Sequence, residues 1–160
     1  MDLSSDPTSM LQAPFRIRSE QGFNAWALRL FQLHASENSV YKEFLKCLGI
    51  RCSEICDITD IPCLPITLFK QREIRLDGTP QGITFLSSGT TASVPSKHHL
   101  PWPELYERAF MSGFERTYGA PSHWRILALL PSYLERGDSS LVFMVDRLIQ
   151  ATGDPLSGTY

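Results

Sequence analysis

Long apolar runs are missing from this chain. No stretch approaches the ~18 uninterrupted apolar residues of a membrane span, so no membrane-spanning helix is expected. A surplus of one charge is missing too: 15 Lys and Arg stand against 17 Asp and Glu, a net charge of −2. Nucleic-acid-binding domains usually carry a basic excess, so nucleic acid is not an expected partner. The opening residues lack the basic-then-apolar order of a secretory leader, which points to a cytoplasmic location. Cysteine is sparse and awkwardly spaced. Cys47, Cys52, Cys56 and Cys63 are separated by four, three and six residues, and none of these gaps is the C-x-x-C of a zinc knuckle or redox pair. The nearest histidine, His34, lies on a different segment. No protein-held metal is therefore expected, and reduced, partly buried thiols are the plain reading.

What is present suffices for a core. The 160 residues are 42% hydrophobic and 20% charged, with nine Phe, five Tyr and three Trp. That composition excludes a disordered chain or a coiled coil and fits one domain or slightly more. Residues 1–22, rich in Ser, Pro and Asp at their start, read as a flexible N-terminal arm. Residues 23–60 read as a helical scaffold. Trp26, Leu30 and Leu33 recur at helical spacing over Asn24–His34, and Val40, Phe44, Leu45 and Leu48 form a second stripe that Gly49 can close. Ser36–Ser39 breaks the two, so a helical hairpin is predicted. The prolines of Ile61-Pro62-Cys63-Leu64-Pro65 then forbid a regular helix and favour an extended course. Glu73–Leu76 reads as a short strand before the Asp77-Gly78 turn.

Residues 61–160 read as a partial nucleotide-binding α/β domain. Ile83–Leu86 is a short strand, and Ala92–Lys97 a polar loop. A helix opens at Pro101-Trp102-Pro103-Glu104 and ends at Gly119 and Pro121. Arg125–Leu130 has the continuous apolar character of a buried parallel strand. Ser139 or Asp138 can cap a further helix that Gly153 stops. Strands alternating with helices predict βαβ units of a parallel sheet, with ligands at the carboxyl ends of the strands. The loops Ser87–Lys97 and Pro131–Gly137 both leave such ends and could share one crevice. The final residues form a turn and the start of another strand.

Ser87-Ser88-Gly89-Thr90-Thr91 carries four hydroxyls and one glycine. Such a run lets backbone N–H groups converge on an anion, a geometry suited to phosphate oxygens. Lys97 adds a positive charge, and His98 and His99 further donors. The run is neither a Walker loop nor a dinucleotide fingerprint, both of which need more glycine. A solvated loop that binds nothing is the alternative reading of the same residues.

Phe85-Leu86-Ser87-Ser88-Gly89-Thr90-Thr91 resembles the phosphate-loop motif of the AMP-forming, adenylate-making superfamily of acyl and aryl ligases. Three blocks together are similar to the acyl-protein synthetase (LuxE-like) family. They are Ile61–Pro65 with Phe69-Lys70, then Ser87–Thr91 with Ser96-Lys97-His98, and Leu130-Pro131-Ser132-Tyr133-Leu134-Glu135-Arg136-Gly137-Asp138-Ser139-Ser140-Leu141. The resemblance implies an incomplete, N-terminal part of an adenylate-forming ligase fold. It also implies a two-step reaction. A fatty carboxylate attacks the α-phosphate of ATP to give acyl-AMP and pyrophosphate, and the acyl group then passes to a protein thiol, from which a partner reductase can take it. On this resemblance Ser87, Ser88, Thr90 and Thr91 bind phosphate oxygens and Gly89 admits close backbone approach. Lys97, with His98 beside it, screens the pyrophosphate, Mg²⁺ bridges the phosphates, and Tyr133 stands near the carboxylate substrate. Tyr133 has the alternative of simply packing over the next helix.

The pattern also departs from the family. Ala92 stands where glycine is usual, the closure before Lys97 differs, and no adenine-binding motif or catalytic C-terminal lysine has a counterpart. The chain alone is therefore expected not to turn over ATP and fatty acid. A severed sheet edge would favour self-association into a homo-oligomer. The competing reading is a non-catalytic α/β module that holds an acyl chain or a partner protein.

Overall fold

The computed structural model describes residues 13–88, 94–131 and 135–160. The chain divides into two compact units, Met1–Thr79 and Pro80–Tyr160.

The first unit is helical. After a 3₁₀ turn at Ala13–Arg16, helix α1 spans Glu20–Glu37 and α2 spans Ser39–Cys47. Helix α1 reaches beyond the predicted Asn24–His34 because Ser19 caps it, its Oγ accepting from the Gly22 N–H at 3.1 Å. Asn38 separates the two helices and serves both. Its backbone N–H donates to His34 O at 3.1 Å, and its Oδ1 accepts from the Tyr41 N–H at 3.0 Å. It is only 2% exposed, so these bonds replace water that cannot reach it. Gly49 follows α2 with φ of +70°, the left-handed conformation that glycine adopts without steric cost.

Phe31, Ala35, Tyr41 and Leu45 form the core of this unit, with Phe44, Ile50, Ile55, Ile61 and Leu64 packed around them. The rings of Phe31 and Tyr41 meet edge-on, 6.2 Å apart. The Tyr41 hydroxyl donates to Pro62 O at 2.7 Å, which ties the irregular Pro62–Pro65 segment to α2. Burial, with smaller contributions from the thiols of Cys63 and Cys52, pushes the Tyr41 phenol above the usual tyrosine range. Residues 61–79 thus lie within the helical unit, including the one-turn helix α3 at Leu68–Gln71. Glu73–Leu76 does not form the expected strand. Its end is held instead by a turn and by side chains: Thr79 N–H donates to Leu76 O, and Arg75 bonds Thr79 O at 2.9 Å. The four thiols are exposed rather than partly buried, because Ile55, Ile61 and Leu64 take the inward positions around them.

The second unit is mixed. It runs β1 (Ile83–Leu86), β2 (Lys97–Leu100), α4 (Pro103–Tyr118), a 3₁₀ turn (Pro121–His123), β3 (Leu127–Ala128), α5 (Ser140–Thr152) and β4 (Gly158–Thr159). Strands β3 and β4 pair in parallel across α5, so one βαβ unit is present, and the strand expected at the end of the sequence exists. The wider parallel sheet does not form among the described residues. Strand β1 pairs antiparallel with β2, which belongs to the stretch Lys97–Leu100 and has no apolar alternation to announce it. The run Arg125–Leu130 also yields only two strand residues. Ile126 N–H bonds the Ser157 hydroxyl instead of a ladder carbonyl. Leu127 and Leu129 are 62% and 87% exposed, so this strand is not buried on both faces as expected.

Phe85, 3% exposed, anchors the core of this unit. Its ring lies 5.8 Å from Tyr106 and 5.6 Å from Phe143, and Phe110 lies 5.2 Å from Tyr106. Helices α4 and α5 are thereby packed against β1. Ser139 caps α5, its Oγ accepting from the Val142 N–H, and Gly153 at φ +63° ends it.

Asn38→Ala leaves the buried Tyr41 N–H without its acceptor and should cost about 2 kcal/mol, read as a lowered urea midpoint. A midpoint unchanged within error would remove Asn38 from its double role. His34 supplies a pH dependence. Burial lowers its pKa below the ordinary 6.5, and Nδ1 lies 3.4 Å from the Asn38 amide nitrogen. The unfolded chain therefore binds the proton more readily, and the contribution of neutral His34 is present above pH ~6.5 and lost as pH falls toward the folded value. His34→Gln should flatten the acid side of the stability profile, measured by urea unfolding between pH 7 and 5. A profile as steep as that of the unsubstituted protein would contradict it.

Candidate functional site

The hairpin of β1 and β2 positions the hydroxyl run. In its register Ile83 faces Leu100, Thr84 faces His99, Phe85 faces His98 and Leu86 faces Lys97. One residue further, Ser87 N–H donates to Ser96 O at 3.0 Å. The return bond does not go to a carbonyl. Ser96 N–H donates to the Ser87 Oγ at 2.8 Å, so the side chain closes the neck where the ladder stops. Ser96 is buried, and the neck is dry on that side. The Ser87 hydroxyl accepts this bond, and a hydroxyl can donate as well as accept.

The other end of the hairpin is fixed by shape. Gly82 has φ of +56°, and a Cβ there would lie 1.9 Å from Leu100 O. No larger residue fits without separating the strands at this point.

The outer edge of β1 meets the second loop. Facing residues of an antiparallel pair alternate between bonded and non-bonded, and Leu86 with Lys97 is a non-bonded pair. The Leu86 N–H therefore points away from β2, and it donates to Asp138 O at 2.8 Å. This bond brings the residue that precedes the Ser139 cap of α5 beside the carboxyl end of β1. The bond joins Leu86 and Asp138, the residues that flank the two loops expected to share a crevice. The Asp138 carboxylate is paired with Arg136, Nε to Oδ1 at 3.2 Å, and Arg136 O accepts from the Ser139 N–H.

The expected site residues separate into three groups. Ser87 is half-buried and Ser88 exposed at the hairpin mouth. Gly89, Thr90, Thr91 and Tyr133 lie outside the described residues. Lys97 and His98 are exposed on β2 but stand on opposite faces of it. The pleat puts Lys97 with Leu86, Thr84 and His99, and puts His98 with Phe85. Ser87 lies beyond the strand, and its hydroxyl is turned to the Ser96 N–H. His99, on the Lys97 face, bonds Thr84 Oγ1 through Nδ1 at 2.9 Å, and its Nε2 is buried without a hydrogen-bond partner among the described residues.

Among the described residues no group of three His, Cys, Asp or Glu is arranged to hold a metal ion. No helix of the described residues is long and apolar enough to cross a membrane. Comparison with models of protein families, with curated proteins and with solved structures gives no match.

Arg136 and Asp138 are the site neighbours that sequence reading missed. Their Arg-x-Asp spacing before a Ser cap was visible, but the hydrogen bond from Leu86 that places them was not.

Ser87→Ala deletes the acceptor of the Ser96 N–H and should loosen the neck. Amide exchange at Ser96 is expected to rise about five- to tenfold, the size of one ordinary hydrogen bond, with the rest of the hairpin less affected. Equal protection in both proteins would mean that Ser87 does not close the hairpin.

Proposed function

We propose that this chain carries the phosphate-binding part of an ATP-dependent, adenylate-forming acyl-protein synthetase. In this reading a fatty carboxylate is activated as acyl-AMP with release of pyrophosphate, and the acyl group passes to a protein thiol. The observation that carries the proposal is the 2.8 Å bond from Leu86 N–H to Asp138 O, which ties one residue of each motif block to the end of β1.

The chemistry of that end favours an anion. The Ser87 hydroxyl can donate as well as accept, Ser88 is exposed, and His98 stands exposed on β2 opposite Phe85. Helix α5 begins beside them, and the N-terminus of a helix attracts negative charge through its unbonded N–H groups. Bound there, ATP would present its β- and γ-phosphates to the hydroxyls, and Mg²⁺ would be held between phosphate oxygens. That arrangement needs no protein-held metal cluster. An incomplete adenylate-forming ligase fold, a fatty acid substrate, an acyl-accepting protein and a cytoplasmic location belong to the same proposal.

Calorimetric titration with ATP·Mg, pyrophosphate and adenosine tests it. ATP·Mg and pyrophosphate should bind and compete, and adenosine should not. Ser88→Ala combined with Thr90→Ala should weaken both phosphate ligands by about tenfold or more, as expected for two lost hydrogen bonds to a charged group. Heat from a medium-chain fatty acid alone, with none from ATP·Mg or pyrophosphate, would replace this reading by that of a non-catalytic acyl-binding module.

A further inference from the structure

Lys97 stands opposite Leu86 on the hairpin, one pair back from Ser87. A phosphate group at the hairpin mouth carries charge that serines alone neutralise poorly. The described residues place another cation nearby. Arg136 lies two residues before Asp138, whose carbonyl is bonded to Leu86, the neighbour of Ser87. Its guanidinium is held to the Asp138 carboxylate at 3.2 Å, with both side chains more than two-fifths exposed.

Exposed ion pairs of this kind contribute little to stability, because water screens the attraction and two side chains lose freedom. The guanidinium can therefore leave Asp138 at low cost. Its planar fork suits two oxygens of a phosphate, which a lysine ammonium matches only as a point charge. The backbone anchor is unaffected by that exchange, since Leu86 bonds the Asp138 carbonyl and not its carboxylate.

We infer that Arg136, rather than Lys97, is the cation that meets the phosphate anion at the Ser87 end of the hairpin, and that Asp138 competes with that anion for the guanidinium. This rests on the phosphate-binding reading above and adds a specific residue and its internal competitor.

The competition gives opposite signs to two substitutions that break the same ion pair. Arg136→Ala should weaken pyrophosphate and ATP·Mg binding by about tenfold, the loss of a charge-assisted contact. Arg136→Lys should recover part of that loss. Asp138→Asn frees the guanidinium and removes a repelling charge, so it should tighten both ligands by about threefold. Lys97→Ala should change either by less than about threefold, as for a screened surface charge. The full chain is used in calorimetry at one fixed salt concentration, with far-ultraviolet circular dichroism of each variant. If Arg136→Ala and Asp138→Asn weaken binding equally, the pair is only structural and the inference fails. If the unsubstituted chain binds pyrophosphate and Arg136→Ala binds it equally well, Arg136 is excluded while the hydroxyl loop stands. If the unsubstituted chain binds neither pyrophosphate nor ATP·Mg, both readings fall. Should Arg136→Ala misfold, Arg136→Gln is read in its place, with a loss of about tenfold supporting the inference and unchanged pyrophosphate binding overturning it.

Discussion

One backbone hydrogen bond organises the second unit. The Leu86 N–H faces outward from the hairpin because its pair with Lys97 is a non-bonded one, and it is satisfied by Asp138 O. A buried or half-buried N–H left unpaired is costly, so this bond sets where the segment before α5 can lie. From that point α5 continues with Phe143 against Phe85, while Tyr106 of α4 reaches the Ser140 carbonyl at 3.3 Å. Hairpin, cap and two helices are thus linked by two hydrogen bonds and one aromatic cluster.

The same logic of double use appears in the first unit. Asn38 ends α1 with its backbone and begins α2 with its side chain, so the angle between the helices depends on a single buried amide. Tyr41 then uses its ring to fill the core and its hydroxyl to hold Pro62. An irregular segment with two prolines cannot satisfy its carbonyls internally, and a core tyrosine supplies the missing donor.

The legible parts of the fold were those set by local chemistry. Helices α1, α2, α4 and α5 followed from apolar spacing and from Ser139, Gly49, Gly119 and Gly153 as stops or starts. The strand at Ile83–Leu86 followed from its apolar composition. Illegible parts depended on distant partners. Lys97-His98-His99-Leu100 has no alternation and becomes a strand only because Ile83–Leu86 lies opposite it. Arg125–Leu130 has the composition of a buried strand, yet only Leu127 and Ala128 pair, and the Ile126 N–H goes to the distant Ser157 hydroxyl instead of a ladder carbonyl. The hydroxyl run was visible as a motif, but the face on which Lys97 stands is a matter of register, which one-dimensional spacing does not contain.

Rigidity at the two ends of the hairpin bears on how a hydroxyl loop can hold an anion in a chain of net charge −2. With no general positive field to gather anions, affinity must come from donors already in place. Gly82 clamps one end of the hairpin, because its hydrogen is the only substituent that clears Leu100 O. The Ser87 Oγ clamps the other by taking the place of a ladder carbonyl. Between these clamps the strands cannot slip by one residue without moving Phe85 out of the aromatic core. A slip of that kind would also reverse the face of Lys97 and part Ser87 from Ser96. The hydrophobic contact of Phe85 with Tyr106 and Phe143 therefore fixes the register that brings the Ser87 hydroxyl to the Ser96 N–H. The polar chemistry of the hairpin mouth is set by a buried apolar ring two residues away.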